Sequence, residues 1–562
     1  MAISSSAIVR IRRAADGGDD TFGAFFDPGL GVAVLTRTDL VCNDSTTVTS
    51  VTGGFSGLTV NQYIHIATTT GSWRADWYLI TAINSDTSIS LEVKPVRGGA
   101  SETGGSGTVY PGVAYNVQSS TQLSLTDIAC SNTTTVTSET GGFTAAMVSN
   151  AIRITGGGAT SGYYIITAQT DTKTITVDRT PGTVTNGTGK VGGAAATIAR
   201  VANSSNATGD KIAAGNLIWV RGSGTVDPSS PDYDITGYTV PEAGTDVLPI
   251  RMIGMNGRPH YRGYGLLLHS VVHWRIDYMM FSASGNFSNY DGIIHGFTFA
   301  LYNCRFNLNN QWMGAIKGGS GSVIHVINCE VDGGTTTPSF PPFEEPGNLA
   351  AISLGAGFGG VVAGCYIHHC RVNGLITADI NGGCFVNNIV SACAANGIII
   401  TVQYGSPAQV IGNVIDGNKR HGIVCHQRAL SRSAIMNNII SNHTEATFSG
   451  ISISDGTAEV NTKIPFFLGM NAFFNNTTHY AGICAASSDI FCTADPYSNK
   501  AGGDFTLNNT AGGGALLRDA GLPQVFNGSN TDAYTPIGIL GTPAAGGSPG
   551  ARLIGQSALI SG

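Results

Sequence analysis

The sequence predicts an all-β protein: a right-handed parallel β-helix, preceded by two small N-terminal β modules and followed by a C-terminal cap. Three observations predict it. Two short motifs recur in step about every 25 residues between roughly residues 200 and 480, the mark of a solenoid. The first third holds an internal duplication of alternating apolar and polar runs. The composition combines 77 glycines and only 12% charged residues with 42% hydrophobic residues, which suits turn-rich, packed β structure and argues against disorder.

The chain divides by texture into an N-terminal arm (1–40), a first β module (41–110), its duplicate (111–198), the β-helix (199–480) and a cap with a tail (481–562). In the arm, Arg10, Arg12 and Arg13 lie close to Asp16, Asp19 and Asp20 and read as a solvated segment. The start of the sequence lacks a charged stretch followed by an apolar core, so no secretory signal is expected. No run approaches the ~20 apolar residues of a membrane helix, and no membrane partner is expected. A net charge of -7 without a basic stripe argues against nucleic acid.

The duplication is read directly. Thr46-Thr47-Val48-Thr49-Ser50 returns as Thr134-Thr135-Val136-Thr137-Ser138, and Thr52-Gly53-Gly54-Phe55 as Thr140-Gly141-Gly142-Phe143. Tyr78-Leu79-Ile80-Thr81-Ala82 returns as Tyr164-Ile165-Ile166-Thr167-Ala168. Runs such as Tyr63-Ile64-His65-Ile66 carry the period of two that marks half-buried strands joined by tight turns. These modules carry no evident chemistry and read as spacers or docking modules.

In the solenoid a kernel recurs through Tyr278, Cys304, Cys329, Cys365, Asn388, Asn413 and Asn438, at intervals of 26, 25, 36, 23, 25 and 25. A second track, Asn373-Gly374, Asn396-Gly397, His421-Gly422 and Ser449-Gly450, keeps step with it. Each repeat is therefore one coil, with equivalent residues stacked about 4.8 Å apart. Asn388, Asn413 and Asn438 are expected to form an amide ladder, and Cys304, Cys329 and Cys365 a buried column of thiols. The glycines of the second track are expected to supply the backbone freedom of a sharp corner. The 11 cysteines, without CxxC pairs, read as buried thiols and not as disulfides or a zinc site.

The 36-residue interval marks an insertion carrying Phe340, Phe343, Glu344 and Glu345 among several prolines. It reads either as a binding loop or as an inert packing or subunit contact. From Asp495 to Gly562 the pattern loosens into a segment expected to cover the last coil, whose open strand edge would otherwise invite aggregation.

Residues 122–193, from Gln122-Leu123-Ser124-Leu125-Thr126-Asp127 to Gly189-Lys190-Val191-Gly192-Gly193, resemble a leader module of viral and environmental β-helix proteins. Gly254-Met255-Asn256-Gly257-Arg258-Pro259 and Gly364-Cys365-Tyr366-Ile367-His368 are similar to the coils that follow such a leader. Asp495-Pro496, Gly503-Asp504-Phe505 and Asp519-Ala520-Gly521 are similar to the closing segment. The resemblance is to bacteriophage and environmental right-handed parallel β-helix virion proteins of the tailspike, fibre or decoration type. It implies a structural virion protein made in the host cytoplasm, joined to other virion proteins through its N-terminal modules, and a host surface glycan as candidate ligand. A homotrimer of parallel cylinders is the expected assembly.

Such folds also serve as polysaccharide-degrading enzymes and as non-catalytic adhesins, so the acidic, histidine and tryptophan residues of the coils bear on function. Asp277, Glu330, Asp332, Asp379, Asp416, Asp455 and Glu459 are scattered, with no Asp-Asp pair in one coil and no pectin-hydrolase elements. His368, His369, His421, His426 and His443 read as turn residues of a column or as proton carriers and ligands along one edge. Trp274 and Trp312 read as packing residues or sugar platforms. No catalytic residue, metal or cofactor is assigned from sequence.

Overall fold

The computed structural model describes residues between Ile8 and Ala520, apart from 15–24, 27–33, 67–72, 115–122, 199–211, 223–230, 237–244, 284–291, 335–348, 378–382, 402–407, 427–432, 455–466, 483–487 and a few shorter pieces. Residues 1–7 and 521–562 also lie outside the description. The insertion carrying Phe340, Phe343, Glu344 and Glu345 therefore falls outside it, as do Trp312, Asp379, Asp455 and Glu459. The chain forms two compact units, Met1–Tyr233 with Val240–His260, and Asp234–Thr239 with Tyr261–Gly562. Among the described residues no helix is long and apolar enough to cross a membrane.

The first unit contains two closed six-stranded antiparallel barrels. One is built from Leu35–Asn43, Thr47–Ser50, Gln62–Ile66, Asp76–Ser85, Ser88–Leu91 and Ser101–Ala114. The other uses Leu123–Ser131, Thr135–Ser138, Ala151–Thr155, Gly162–Asp171, Thr174–Val177 and Thr183–Val191 in the same neighbour order. Alternation is what closes them: every second side chain turns inward, so Leu40, Cys42, Val48, Phe55 and Ile64 fill one core and Ile128, Cys130, Val136, Phe143 and Ile152 the other.

Each barrel is pinned at one turn by a carboxylate. Ser50 Oγ donates to Asp39 at 2.7 Å, and the Thr52 backbone N–H and hydroxyl both donate at 2.8 Å. In the second copy, Ser138 Oγ and the Thr140 N–H donate to Asp127 at 2.6 and 2.7 Å. The serine hydroxyl first, and the threonine N–H second, hold both carboxyls down at about 2.

The N-terminal arm differs from expectation. Ile8–Ile11 is a strand, parallel to Leu217–Arg221, which is in turn parallel to Ile250–Met255. Val9 and Ile11 are buried, and Arg13 lies 3.5 Å from Asp232. The Ile8-Val9-Arg10-Ile11 run is β-branched and finds an open parallel edge, while the flanking arginines hide that signal in the sequence.

The second unit is the β-helix, with three parallel sheets. The first sheet stacks Ala350–Ser353, Asn373–Thr377, Ile398–Ile400, Ile423–His426, Ser449–Ser454 and Thr478–Ala481. The second stacks Gly359–Ala363, Cys384–Val386, Gln409–Ile411, Ala434–Met436 and Phe467–Gly469. In the preceding coils, the long strands Leu266–Asp277, Ile294–Tyr302 and Ile316–Ile327 serve both sheets. The third sheet runs Met280–Ser282, Arg305–Asn307, Glu330–Asp332, Tyr366–His368, Ile389–Ser391, Val414–Asp416, Ile439–Ser441, Ala472–Phe474 and Ile490–Phe491.

Corners between the second and third sheets are left-handed at Tyr278, Asn303, Asn328, Gly364, Asn387, Gly412, Asn437 and Met470. Asparagine and glycine dominate because they tolerate that backbone. The next residue in each coil turns inward. This column reads Met279, Cys304, Cys329, Cys365, Asn388, Asn413, Asn438 and Asn471, each carbonyl accepting from the following coil. Met279, not Tyr278, is thus the first member, which corrects the opening interval from 26 to 25.

The second-track glycines also differ from expectation. Gly374, Gly397 and Gly422 are absent from the left-handed positions; a Cβ at Gly374 or Gly397 would lie 2.6 Å from the next coil's carbonyl, and at Gly422 2.5 Å. They are needed for close backbone approach, not for a corner.

The C-terminal segment is more than a lid on the last coil. Ile490–Phe491 extends the third sheet, but Tyr497, Phe505 and Leu517 pack on that sheet's outer side against Ile389, Val414, Ile439 and Ala472. Tyr497 and Ser441 hydroxyls meet at 2.8 Å beneath it. The outward aliphatic residues at one position of four successive coils demand that cover.

Two consequences are measurable. Because Asp39 and Asp127 have folded-state pKa values below the ordinary 3.8, their contribution is present above that value and fades as pH falls through about 2. Asp39→Asn with Asp127→Asn should flatten the acid side of the barrels' stability curve, followed by circular dichroism melts from neutral pH downward. In the solenoid, Asn413→Leu removes the acceptor of both the Asn388 backbone N–H and its side-chain amide, and the side-chain donor to the Phe385 carbonyl, so chemical denaturation should show a loss of about 3 kcal/mol or more.

Candidate functional site

On each three-residue strand of the third sheet the middle side chain points into the solenoid and the outer two face away. The outward columns are Arg305, Glu330, Tyr366, Ile389 and Val414, and, two residues on, Asn307, Asp332, His368, Ser391 and Asp416. The C-terminal segment covers the aliphatic part and ends against Tyr366, whose ring meets Phe505 edge-on at 6.3 Å. Beyond that boundary the face turns polar.

There, Arg305 Nε lies 3.2 Å from Glu330 Oε2, and Glu330 Oε1 lies 3.4 Å from His368 Nε2. The His368 ring stacks on Tyr366 at 4.1 Å. Its Nδ1 is 2.8 Å from His369 Nδ1 and 3.6 Å from Asp332 Oδ1. Asp332 Oδ1 is itself fixed by the Gly334 N–H at 2.8 Å.

Local backbone explains this convergence. His369 occupies a left-handed corner with φ 56°, which turns its ring back toward its neighbour. Its carbonyl crosses so close to Gly333 that a Cβ there would sit 1.9 Å away, so only glycine lets the coil below pass. Burial, and then the adjacent His368, push the His369 pKa down, which favours a neutral imidazole. Burial raises the Tyr366 phenol, with Glu330 and Asp332 adding to the rise and Ser391 opposing it. The face thus offers a guanidinium, two carboxylates, an aromatic ring and two imidazoles within one patch. Such a set suits hydroxyl and carboxylate recognition, and Asp332, His368 and His369 are of metal-ligating types.

Asn388 Nδ2 donates to Asn413 Oδ1 at 3.0 Å, Asn413 to Asn438 at 3.0 Å, and Asn438 to Asn471 at 2.9 Å. Asn388 Oδ1 accepts the Cys365 N–H at 2.9 Å, so the thiols Cys304, Cys329 and Cys365 continue the same buried column. Burial raises the Cys304 and Cys329 thiols well above the ordinary range. Among the described residues, His421 and His443 do not join His368 and His369 along one edge. His421 sits in a second ladder, its N–H donating to Asn396 Oδ1 and its Nδ1 accepting the Ser449 N–H. His443 is fully buried against the Asn418 and Arg420 carbonyls, and the His426 side chain lies outside the described residues. Trp274 is buried, Asp277 accepts from Asn303, and Asp416 is enclosed with Ser441 and Asn442.

The sequence reading missed Arg305 and Tyr366, and it did not associate Glu330 and Asp332 with His368. The signal was present one and three residues after each inward kernel position, where outward side chains stack.

No protein-family profile matches the sequence, and no curated protein matches it. Among solved structures, the chain is similar to pectate lyase Pel9A, with 13% identity, a TM-score of 0.39, and coverage of 60% of this chain and 94% of that one. It is similar to a rhamnogalacturonan lyase, with 9% identity, a TM-score of 0.31, and coverage of 53% and 83%. It is also similar to the periplasmic alginate epimerase AlgG, with 12% identity, a TM-score of 0.19, and coverage of 49% and 76%. The likeness is one of β-helical architecture at low identity, and the functional reading rests on this chain's own residues.

Proposed function

We propose that this chain is a structural β-helical spike, fibre or capsid decoration of a phage particle that engages a host surface glycan on the outer side of its third sheet. The observation that carries the glycan reading is the change along that side, from aliphatic residues covered by Tyr497, Phe505 and Leu517 to the patch of Arg305, Glu330, Asp332, Tyr366 and His368. An aromatic ring beside a cation and carboxylates supplies stacking for a sugar ring together with donors and acceptors for its hydroxyls.

The docking role of the barrels is supported by how the two copies diverge. Their interiors match at most positions, whereas Val51, 89% exposed in the first, is replaced by Glu139 in the second, paired with Lys173 at 3.0 Å. Copies selected only as spacers have no need of different surfaces. In this reading the barrels attach to other virion proteins and the particle-borne form is a homotrimer.

A second reading, a polysaccharide-cleaving enzyme, is favoured by one observation. His369, whose pKa burial lowers, stands with Asp332 and His368, next to the Arg305–Glu330 pair, which is suited to take a proton near a sugar carboxylate that the cation neutralises.

One binding experiment addresses both readings. Against immobilised host surface polysaccharides, Arg305→Ala should weaken binding about tenfold, roughly 1.4 kcal/mol, with melting unchanged. Absence of binding to every host glycan would sink the proposal. Unsaturated sugar ends released by the wild type but not by His369→Ala would move the assignment to the enzyme. Sedimentation equilibrium of the full chain should report three copies, and a stable monomer would refute that assembly.

A further inference from the structure

We propose that Asp332, His368 and His369 form a binding site for a divalent transition metal of the zinc type on the outer side of the third sheet. The inference goes beyond the glycan reading and stands independently of it.

Three features carry it. The ligand atoms of these three residues all lie within 4.8 Å of one another, the only such grouping of three or more among the described residues. Two imidazole Nδ1 atoms face each other at 2.8 Å, and the carboxylate oxygen is 3.6 Å from one of them. Zinc–nitrogen bonds of about 2.1 Å place neighbouring ligands roughly 3.0–3.4 Å apart, so small side-chain adjustments would seat an ion.

The outer partners point the same way. His368 presents Nε2 to Glu330 Oε1 at 3.4 Å, which favours the tautomer carrying its proton on Nε2 and leaves a lone pair on Nδ1 for the ion. Glu330 is in turn held by Arg305. This carboxylate–imidazole–metal arrangement makes Glu330 a positioning residue, not a ligand. Two nitrogens and one oxygen suit zinc, cobalt or nickel better than calcium or magnesium, which prefer all-oxygen sets. Three protein donors leave a coordination position for water or a ligand oxygen.

Backbone geometry supports a site held in place before the ion arrives. His368 and His369 are sequential, so they converge only because His369 is left-handed and the coil below passes beneath it at Gly333. Asp332 belongs to the preceding coil, so its placement depends on stacking and on the Gly334 N–H. An ion here would join the two coils on either side of the insertion.

The test is calorimetric titration of the full, chelator-stripped chain with zinc chloride, accompanied by visible spectra of the cobalt-loaded protein. The expected result is one ion per chain. Affinity should fall at least tenfold in Asp332→Asn and in His369→Ala. Glu330→Ala should lose about tenfold, while Glu330→Gln, which keeps an acceptor for His368, should retain most of it. If His369→Ala fails to fold, protection of His368 and His369 in the wild type from diethyl pyrocarbonate by zinc decides instead. No zinc uptake, uptake unchanged in the folded variants, or no protection each overturns the site.

Discussion

The β-helix rests on one constraint: every residue inside a coil lies directly over its equivalent about one strand spacing away, so whatever occupies a position must be compatible with a copy of itself. Aliphatic side chains meet the condition without further help. A buried amide meets it by being donor and acceptor at once, which is why Asn388, Asn413, Asn438 and Asn471 bond one another in sequence. The two ladders run in opposite senses, since Asn388 donates toward the following coil while Asn396 donates back to Asn373. Thiols satisfy the same position at lower cost, Cys304 and Cys329 donating to nearby backbone carbonyls.

The same spacing disciplines the exterior. Like charges stacked one coil apart would repel, and the outward columns avoid them: Arg305 lies over Glu330, and Glu330 over Tyr366. In the neighbouring column Asp332 is separated from Asp416 by His368 and Ser391. The polar patch is therefore an arrangement of complementary neighbours, and its geometry follows from register before any ligand is considered. The aliphatic stack of Ile389, Val414 and Ile439 is equally self-compatible but exposed to water, and the segment from Tyr497 to Leu517 answers that exposure.

Columns are what a sequence displays best. The inward kernel and the duplicated barrels were legible because repetition places identical residues at fixed offsets, and Asp39 and Asp127 share the 88-residue offset of their barrels. Corners were harder: at Gly374 and Gly397 the sequence shows glycine, but only stacked backbones show that close approach and not φ demands it. Ile8–Ile11 illustrates a different limit. Four residues pair with a strand more than two hundred positions away, and no local pattern announces such a partner. The patch at Arg305, Glu330 and Tyr366 was obscure because its members differ from one another, so a search for repeats passes over them.

That last difficulty has a physical origin and bears on where chemistry can arise in a solenoid. A column of identical residues is a structural device, since its groups are already satisfied by one another. Unlike residues brought into register leave capacity for something external, as the imidazole pair and Asp332 do. In this chain the unlike residues gather on the two coils flanking the 36-residue interval, where Gly333 and the left-handed His369 accommodate the departure from the common repeat. Regular stacking keeps those coils rigid from above and below, so the side chains that break the pattern are held at fixed separations by the ones that obey it.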